Sequence, residues 1–284
     1  MQESTRIGFI GAGNMAEAMA GALISSGKVQ SRQLCLCDIR KERLSYLSTQ
    51  YNVLTSDSAL ETFKEATTVI LSVKPQGMKA LLEEIHAAGL HKIMGRKQII
   101  TIAAGLPLSF YEAILYDGLT PQEAQRLPIL RVMPNTPSLV LAGMSGLCGN
   151  EQTVVEDLAL AETLLSAMGK VLRVKESLMD GITAVSGSGP AYIFYVVEAM
   201  VEAGMELGFS QEEATLLATT TVNGSAKLLL ESEEAPAELR RRVTSPGGTT
   251  EAAIKTMMEE RVGQGIQKGM LAAARRSQEL SRTD

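Results

Sequence analysis

Short apolar runs alternate with helical patterns along the chain up to about residue 175. The first run, residues 6–10, leads through a glycine-rich turn into a helical pattern that ends at Gly27, a residue suited to a helix C-cap. Further runs predict strands at Leu34–Cys37, Val69–Val73, Gln98–Ala103, Leu130–Val132 and Val171–Val174. Helical segments such as Gly77–Ala88 and Thr153–Met168 lie between them, and this alternation predicts an α/β fold with a mostly parallel sheet.

The second part of the chain carries only helical patterns. They cover Pro190–Leu207, Gln211–Leu230, Thr249–Glu259 and Val262–Leu280. Ser210 followed by Glu213 matches a capping box, and Pro190 suits the first turn of a helix. The pattern therefore divides the chain into a doubly wound α/β domain, residues 1–175, and an all-helical domain, residues 176–284.

The predicted helices of the second domain are rich in alanine, glycine, leucine and methionine and hold few aromatic residues. One copy offers too little apolar bulk to bury the apolar faces of these helices. We therefore expect them to pack between the subunits of a homo-oligomer.

Composition and charge exclude several classes of protein. Apolar residues make up 45% of the 284 positions, and 27 basic against 32 acidic side chains give a net charge of −5, as in ordinary soluble domains. Dense basic clusters occur only at Arg240–Arg242 and Arg275–Arg276, too few for a nucleic-acid surface. The best apolar run, Ala191–Val197, is too short to cross a bilayer, so we expect neither a nucleic acid nor a membrane as a partner.

The positions of cysteine and histidine indicate the cellular compartment of the protein and whether it has a metal site. Cys35 and Cys37 lie two positions apart in an apolar run, which predicts buried, reduced thiols and a cytoplasmic location. His86 and His91 flank the end of one helical segment, and no further histidine, cysteine or carboxylate cluster lies at a metal-ligand spacing. We expect surface histidines and no metal site.

The turn after the first strand, residues 11–16, has the pattern GxGxxA. Its glycines let the backbone approach a pyrophosphate, and the free N–H groups of the following helix favour the negative charge. A glycine-rich turn without a ligand is the alternative, but the position between a strand and a helix favours a dinucleotide site in a Rossmann-like domain.

The end of the second strand bears on the choice of dinucleotide. Asp38 stands where an acidic residue would bind a ribose 2′-hydroxyl and favour NADH. Arg40 and Lys41 suit the 2′-phosphate of NADPH, or else are solvated charges in the first turn of a helix. These residues leave the choice open.

Two loops with small side chains follow strands of the predicted sheet. Open α/β sheets bind ligands at the carboxyl ends of their strands, so these loops would leave room for a nicotinamide ring. Their residues are Ser72, Val73, Lys74, Pro75, Ile102, Ala103 and Ala104. Lys74 precedes a proline, and we assign it to cofactor contact rather than to acid catalysis. The prolines of Arg131–Pro137 predict a rigid loop, which we leave outside the site.

Residues 244–251 form a second glycine-rich helix entrance. Gly248, Thr249 and Thr250 present backbone N–H groups without intrahelical partners, which suits a carboxylate. The Thr250 hydroxyl can in addition reach a neighbouring nitrogen. The alternative is an ordinary helix cap in which threonine bonds its own backbone.

Six strings in order along the chain, GFIGAGNMA, SVKPQ, TIAAG, RVMPNTP, VSGSGPAY and VTSPGGTTEAA, together resemble the pyrroline-5-carboxylate reductase family. The resemblance runs from end to end. It implies NAD(P)H-dependent reduction of the cyclic imine (S)-1-pyrroline-5-carboxylate to L-proline, the last step of proline biosynthesis, with NADPH as the expected cofactor and NADH as the alternative. It also implies a C-terminal domain that binds substrate and forms a homodimer by interleaving helices, often within a decamer of five dimers.

The resemblance also implies roles for individual residues. Asp38 and Arg40 would contact the adenosine ribose. The residues that would line the pyrophosphate are Ile10, Gly11, Ala12, Gly13, Asn14 and Met15. The substrate residues would be Glu176, Ser245, Gly248, Thr249 and Thr250. Thr250 is the candidate catalytic residue, with its hydroxyl orienting the ring nitrogen, because threonine is too weak an acid to supply the proton. Arg242 departs from the family pattern, which often has an uncharged amide side chain there.

Two competing interpretations share parts of this pattern. A β-hydroxyacid dehydrogenase or a broader imine reductase has the same two-domain plan, but the dehydrogenase needs a lysine soon after a GSG-like turn, and Gly189–Tyr195 has none. The other is a catalytically silent dinucleotide-binding regulator. The intact VTSPGGTT string argues against it, because a regulator needs no substrate cradle.

Overall fold

The computed structural model describes residues 6–93 and 95–282, the last of them without its side chain. The strands in this part of the chain are β1 Ile7–Ile10, β2 Leu34–Cys37, β3 Leu54–Ser56, β4 Thr68–Leu71, β5 Gln98–Thr101, β6 Ile129–Met133, β7 Gly143–Gly149 and β8 Gly169–Arg173. The helices are α1 Asn14–Ser25, α2 Lys41–Tyr51, α3 Ala59–Glu65, α4 Pro75–Ala87, α5 Leu108–Leu115, α6 Pro121–Ala124, α7 Val155–Leu165, α8 Met179–Ile182, α9 Gly189–Glu206, α10 Gln211–Glu231, α11 Pro236–Arg242, α12 Thr249–Glu259 and α13 Val262–Arg282.

The strands form one sheet in the order β3-β2-β1-β4-β5-β6-β7-β8. All neighbours are parallel except β6 and β7, as predicted for a doubly wound, mostly parallel sheet. Ile10 at the end of β1 lies opposite Cys37 of β2 and Leu71 of β4. The loops that follow these three strands therefore start level with one another at the carboxyl edge of the sheet.

The central strands are buried on both faces. In β1, Phe9 packs into the apolar cluster that includes Met19 of α1 and Leu164 of α7, while Ile10 packs into the cluster that includes Leu82 of α4 on the opposite face. Successive side chains of a strand point to opposite faces. This burial on both sides explains why the strands form continuous apolar runs in the sequence rather than alternating ones.

The described chain divides into two compact units. One holds the residues up to Gly187 together with those from Ala273 onward, and the other holds Ser188–Ala272. No strand follows Arg173 in the described residues, so the predicted change to helical structure is confirmed. Within the first unit, the hydroxyl of Ser277 on α13 donates to Oδ1 of Asp180 on α8 at 2.6 Å.

The unit Ser188–Ala272 buries few of its side chains. Only Ala214 and Ala218 are buried within it, and a Cβ on Gly204 of α9 would lie 2.8 Å from the Cβ of Ala214 on α10. Small residues let these two helices approach closely. Large apolar side chains remain exposed on the same unit, among them Phe194, Tyr195, Leu216 and Leu230. No described helix combines the length and the apolar character needed to cross a membrane.

Candidate active site

The GxGxxA turn joins β1 to α1 and passes close to the loop after β4. Gly11 has a φ of +95°, and a Cβ there would lie 2.7 Å from the backbone nitrogen of Val73. Its N–H donates to the carbonyl of Cys37 at 2.9 Å, and its carbonyl accepts from the hydroxyl of Ser72. Only glycine fits this position, and the turn is locked between the ends of β2 and β4.

Gly13 is the N-cap of α1 and has an extended backbone. No side chain caps this helix start, and a Cβ on Gly13 would meet no atom within 4 Å. The first N–H groups of the helix, which begins with Asn14 and Met15, have no intrahelical partners. A helix start of this kind attracts an anion, as a pyrophosphate seat requires.

Several hydrogen bonds hold the carboxylate of Asp38 at the end of β2. Its Oδ2 accepts from the N–H of Ala12 at 3.1 Å and from Nη2 of Arg40 at 3.0 Å, and its Oδ1 accepts from the N–H and Nε of Arg40 at 3.0 and 2.9 Å. The side-chain bond from Arg40 is the main reason that the pKa of Asp38 lies below its ordinary value. The side chain of Arg40 is 59% exposed, so it is accessible to a phosphate group.

A cavity of about 510 Å³ lies at the carboxyl edge of the sheet, within the size range of ligand sites. The predicted cofactor residues that line it are Ile10, Gly11, Gly13, Asp38, Arg40, Ser72, Val73 and Lys74. Ile39, which is 90% exposed, also lines the cavity and adds an apolar side chain that is not among the predicted cofactor residues. The fold thus brings the turn after β1, the end of β2 and the loop after β4 around one cavity.

The remaining predicted cofactor residues lie outside the wall of this cavity. They are Ala12, Asn14, Met15, Pro75, Ile102, Ala103 and Ala104. Ala12 is buried, and the others begin α1 or α4 or follow β5. The N–H of Ile102 donates to the carbonyl of Leu71 at 3.1 Å, which places the loop after β5 beside the loop after β4.

Arg43 is a residue of this region that no sequence motif singles out. It lies on α2, and its guanidinium donates to the carbonyl of Ala12 at 2.7 Å and to the carboxylate of Glu17 on α1. A basic residue in the first turns of the helix after the second strand is the only sequence signal for this contact. Many surface arginines share that signal, so it could not have identified Arg43 alone.

Glu176 lies in the first unit, where it bridges two elements. Its Oε1 accepts from the N–H of Leu108, the first residue of α5, at 2.7 Å and from Nη1 of Arg131 on β6 at 3.1 Å. The side chain of Arg131 is 7% exposed and that of Glu176 is 35% exposed. Asn135, from the same RVMPNTP string as Arg131, donates to the carbonyl of Ser186 at 3.2 Å. Arg131 and Asn135 thus hold Glu176 and the segment before α9 in place.

The second glycine-rich helix entrance lies in the other unit. Gly247 has a φ of +72°, and the carbonyl of Ser245 accepts from the N–H of Gly248 at 3.0 Å. Gly248 is the N-cap of α12, and no side chain caps this start. The amides of Thr249 and Thr250, the first two helical residues, therefore remain available to an anion.

Arg242, the position that departs from the family pattern, ends α11 in the same unit. Its guanidinium forms an ion pair with the carboxylate of Glu234. The charge that replaces the usual amide is thus partnered within its own unit.

The histidine prediction is wrong for His91. The chain turns at Gly89, with a φ of +68°, and stacks the ring of His91 on that of His86 with 4.2 Å between the centroids. His91 is 2% exposed, and neither of its ring nitrogens has a partner in the described part of the chain. Burial, followed by the nearby His86, lowers its pKa from the ordinary histidine value.

The cysteines are free thiols. Cys37 and Cys148 are buried, whereas Cys35 is only partly buried. Burial raises the pKa of Cys37 to about 11, so this thiol stays protonated at neutral pH. Within the described residues, no group of three or more histidine, cysteine or carboxylate side chains is placed to hold a metal ion.

Two family models match separate parts of the chain. The one described as pyrroline-5-carboxylate reductase dimerisation matches residues 176–280, which include the entrance to α12. The one described as NADP oxidoreductase coenzyme F420-dependent matches residues 6–105, which include the GxGxxA turn.

Individual proteins match nearly the full length. The pyrroline-5-carboxylate reductase of Pseudomonas aeruginosa is 42% identical over 277 residues, which cover 97% of each chain. The solved structure of a pyrroline-5-carboxylate reductase from Coxiella burnetii has a TM-score of 0.89 at 36% identity and covers 99% of this chain and 100% of that one. The Plasmodium falciparum enzyme, solved with NADP bound, has a TM-score of 0.84 at 25% identity with the same coverage. This chain therefore belongs to the pyrroline-5-carboxylate reductase family.

Proposed function

We propose that this chain reduces (S)-1-pyrroline-5-carboxylate to L-proline with a reduced nicotinamide dinucleotide, the last step of proline biosynthesis. One structural observation carries the proposal: α1 and α12 both begin at glycine N-caps without side-chain caps. One such helix start suits a pyrophosphate and the other a carboxylate. The cofactor and the substrate of this reaction carry these two anionic groups.

The cofactor seat in this proposal is the cavity at the carboxyl edge of the sheet. The start of α1 holds the pyrophosphate, Asp38 and Arg40 hold the adenosine ribose, and the loops after β4 and β5 flank the nicotinamide. Because the carboxylate of Asp38 is already bonded to Arg40, we expect NADPH to be favoured and NADH to be the alternative. When bound, the reduced nicotinamide supplies the hydride for the imine carbon.

At the substrate end, the amides of Thr249 and Thr250 hold the carboxylate, with Ser245 and Gly248 shaping the entrance. The Thr250 hydroxyl orients the ring nitrogen, and the proton arrives with the protonated imine or from water. The family resemblance adds Glu176 as a further substrate residue, and its Oε1 is held by the bonds from Leu108 and Arg131. Orientation of the two reactants supplies most of the acceleration.

We also propose that residues 176–284 are the substrate-binding and dimerisation domain of a homodimer, and that residues 1–175 are the dinucleotide-binding domain. The exposed apolar side chains of the helical unit support subunit contacts. A decamer of five dimers is a further expectation from the family resemblance. The free thiols support a cytoplasmic location, since oxidising compartments favour disulfides.

A spectrophotometric assay tests the activity. We expect oxidation of NADPH, and more slowly of NADH, when pyrroline-5-carboxylate is added, with proline as the product. Oxidation with a panel of 3-oxo acids instead would favour a hydroxyacid dehydrogenase. Dinucleotide binding without turnover of either class would favour a regulator, and both results would overturn the proposal.

A further inference from the structure

The guanidinium of Arg43 contacts backbone carbonyl oxygens of the GxGxxA turn. Nε donates to the carbonyl of Ala12 at 2.7 Å, and Nη2 makes a longer contact of 3.4 Å with the carbonyl of Gly13. The Gly13 carbonyl also accepts the first helical bond of α1, from the N–H of Glu17 at 3.0 Å. Two successive carbonyls of the turn are therefore held from one side.

The orientation of these carbonyls determines the orientation of the N–H groups. In a trans peptide the C=O and the N–H of the next residue point in opposite directions. With the Ala12 and Gly13 carbonyls directed at Arg43, the N–H groups of Gly13 and Asn14 point away from the guanidinium. These are among the N–H groups that a pyrophosphate at the start of α1 would use.

The guanidinium is itself held in place. Nη2 also pairs with the carboxylate of Glu17, whose Oε1 accepts from the hydroxyl of Tyr51 at 3.0 Å, and the guanidinium carbon lies 5.4 Å from the ring centroid of Tyr46. Burial raises the pKa of Glu17, but the bonds from Arg43 and Tyr51 outweigh it and leave the pKa below its ordinary value. Glu17 thus stays ionised at neutral pH and keeps its partner fixed.

Arg43 differs from Arg40 in its accessibility. The side chain of Arg43 is 17% exposed and its donors face the turn and Glu17, whereas that of Arg40 is 59% exposed and borders the cavity. Arg40 is placed to meet the part of a dinucleotide that distinguishes NADPH from NADH. The turn that Arg43 supports would serve the pyrophosphate, which both dinucleotides share.

We infer that Arg43 is a positioning residue of the pyrophosphate seat, which holds the N–H groups of the turn toward the cofactor without touching it. This inference rests on the proposed function, because it concerns the seat of the cofactor. It goes beyond that function because it assigns Arg43 an equal effect on the binding of NADPH and of NADH, and no effect on the rate of the chemical step.

Calorimetric titration of the full-length protein with NADP⁺ and NAD⁺ tests the inference. We expect Arg43→Met to weaken the binding of both dinucleotides by about 10-fold, because N–H groups that are no longer held toward the pyrophosphate bind it less well, and Arg43→Lys to weaken it less. In turnover, KM for the dinucleotide should rise while kcat changes little. The matched control is Arg126→Met, which removes an exposed arginine at the amino end of β6 and should leave both affinities unchanged.

Glu17→Gln provides a second variant that does not depend on the folding of Arg43→Met. Its amide oxygen can still accept from Arg43 and its NH2 group can donate to the Tyr51 hydroxyl, but the charge is removed, so it should weaken the binding of both dinucleotides by a smaller factor. Unchanged affinities in Arg43→Met and Glu17→Gln, or loss of NADP⁺ binding alone, would overturn the inference and leave the proposed function standing. Failure of the unaltered protein to bind either dinucleotide would overturn both.

Discussion

The guanidinium of Arg40 lies against the carboxylate of Asp38, with Nε 2.9 Å from Oδ1 and Nη2 3.0 Å from Oδ2. Asp38 also accepts from the N–H of Ala12, so its oxygens have several donors before any ligand arrives. The acidic residue that usually indicates NADH is thus partly neutralised. Considered one at a time, Asp38 favours NADH and Arg40 favours NADPH, so the residue types leave the choice of dinucleotide open. The ion pair explains why neither residue decides it alone.

Replacement of Arg40 should change the choice of dinucleotide. We expect Arg40→Ala to lower kcat/KM for NADPH by about 10-fold, because a phosphate loses a charge-assisted partner, while kcat/KM for NADH stays level or rises as Asp38 becomes free to bind a 2′-hydroxyl. Steady-state kinetics with both dinucleotides measures the ratio. An equal loss with both would contradict the role of Arg40.

The two glycines of the GxGxxA turn should respond differently to alanine. Gly11→Ala forces a side chain into the left-handed region and against the backbone of Val73, so we expect it to lower the free energy of unfolding by more than about 2 kcal/mol. Gly13→Ala has open space around its Cβ and should change stability by less than about 1 kcal/mol. It should nevertheless weaken dinucleotide binding, because the Cβ would occupy the approach to the proposed pyrophosphate seat.

Denaturant unfolding and calorimetric titration of both variants separate the two effects. Similar losses of stability in the two variants would show that the fold itself requires Gly13, so its open surroundings would not indicate a ligand site. Unaltered dinucleotide affinity in Gly13→Ala would argue against a pyrophosphate at this turn.

Removal of the Thr250 hydroxyl should slow the reaction without abolishing it. We expect Thr250→Ala to lower turnover of pyrroline-5-carboxylate by about 10²-fold or less, because in the proposed function the hydroxyl orients the ring nitrogen and does not supply the proton. Thr250→Ser should recover much of the rate. Thr256→Ala on the same helix, where the hydroxyl bonds the carbonyl of Ala252, is the control. Unchanged steady-state parameters in Thr250→Ala would reject the role.

His91 should make the protein less stable in mild acid. Its pKa is lowered in the folded state, so as the pH falls below the ordinary histidine value near 6.5 the unfolded chain takes up a proton that the folded chain does not, and stability decreases. His91→Phe removes this dependence and two buried, unpartnered nitrogens. We expect a gain of about 1 kcal/mol at pH 8 and a larger gain at pH 5.

Thermal unfolding between pH 5 and pH 8 checks this expectation. His86→Gln, at a half-exposed position, should keep most of the pH dependence of the unaltered protein. If His91→Phe and the unaltered protein lost stability in parallel as the pH fell, another group would have to be responsible.

Pattern alone predicts the strands that are apolar and the helices that have clear ends. The capping box is confirmed, since Ser210 and Glu213 exchange hydrogen bonds at 2.8 and 3.2 Å, and α12 begins and ends at the predicted residues. The strand β7 is missed because its glycines resemble a turn. They are there for packing: a Cβ on Gly146 would lie 2.7 Å from Ile182, and only the folded chain reveals that contact.

Prediction of the site from the sequence has the same limit. The GxGxxA turn is visible in the sequence because its glycines are required locally, and the bonds of Gly11 to β2 and β4 explain that requirement. Arg43 and Arg131 act across 31 and 45 positions, on Ala12 and Glu176 respectively. Nothing next to Arg43 distinguishes it from other arginines, and the RVMPNTP string that contains Arg131 does not indicate its partner, so both contacts could be found only in three dimensions.

The bond between Asp180 and Ser277 spans 97 positions and joins the carboxyl-terminal part of α13 to α8 within the unit that also holds the GxGxxA turn. That unit is consequently discontinuous in the sequence. During synthesis, it cannot acquire its final contacts until Ser277 has been translated, so a fragment that stops after Gly187 would lack the partner of Asp180.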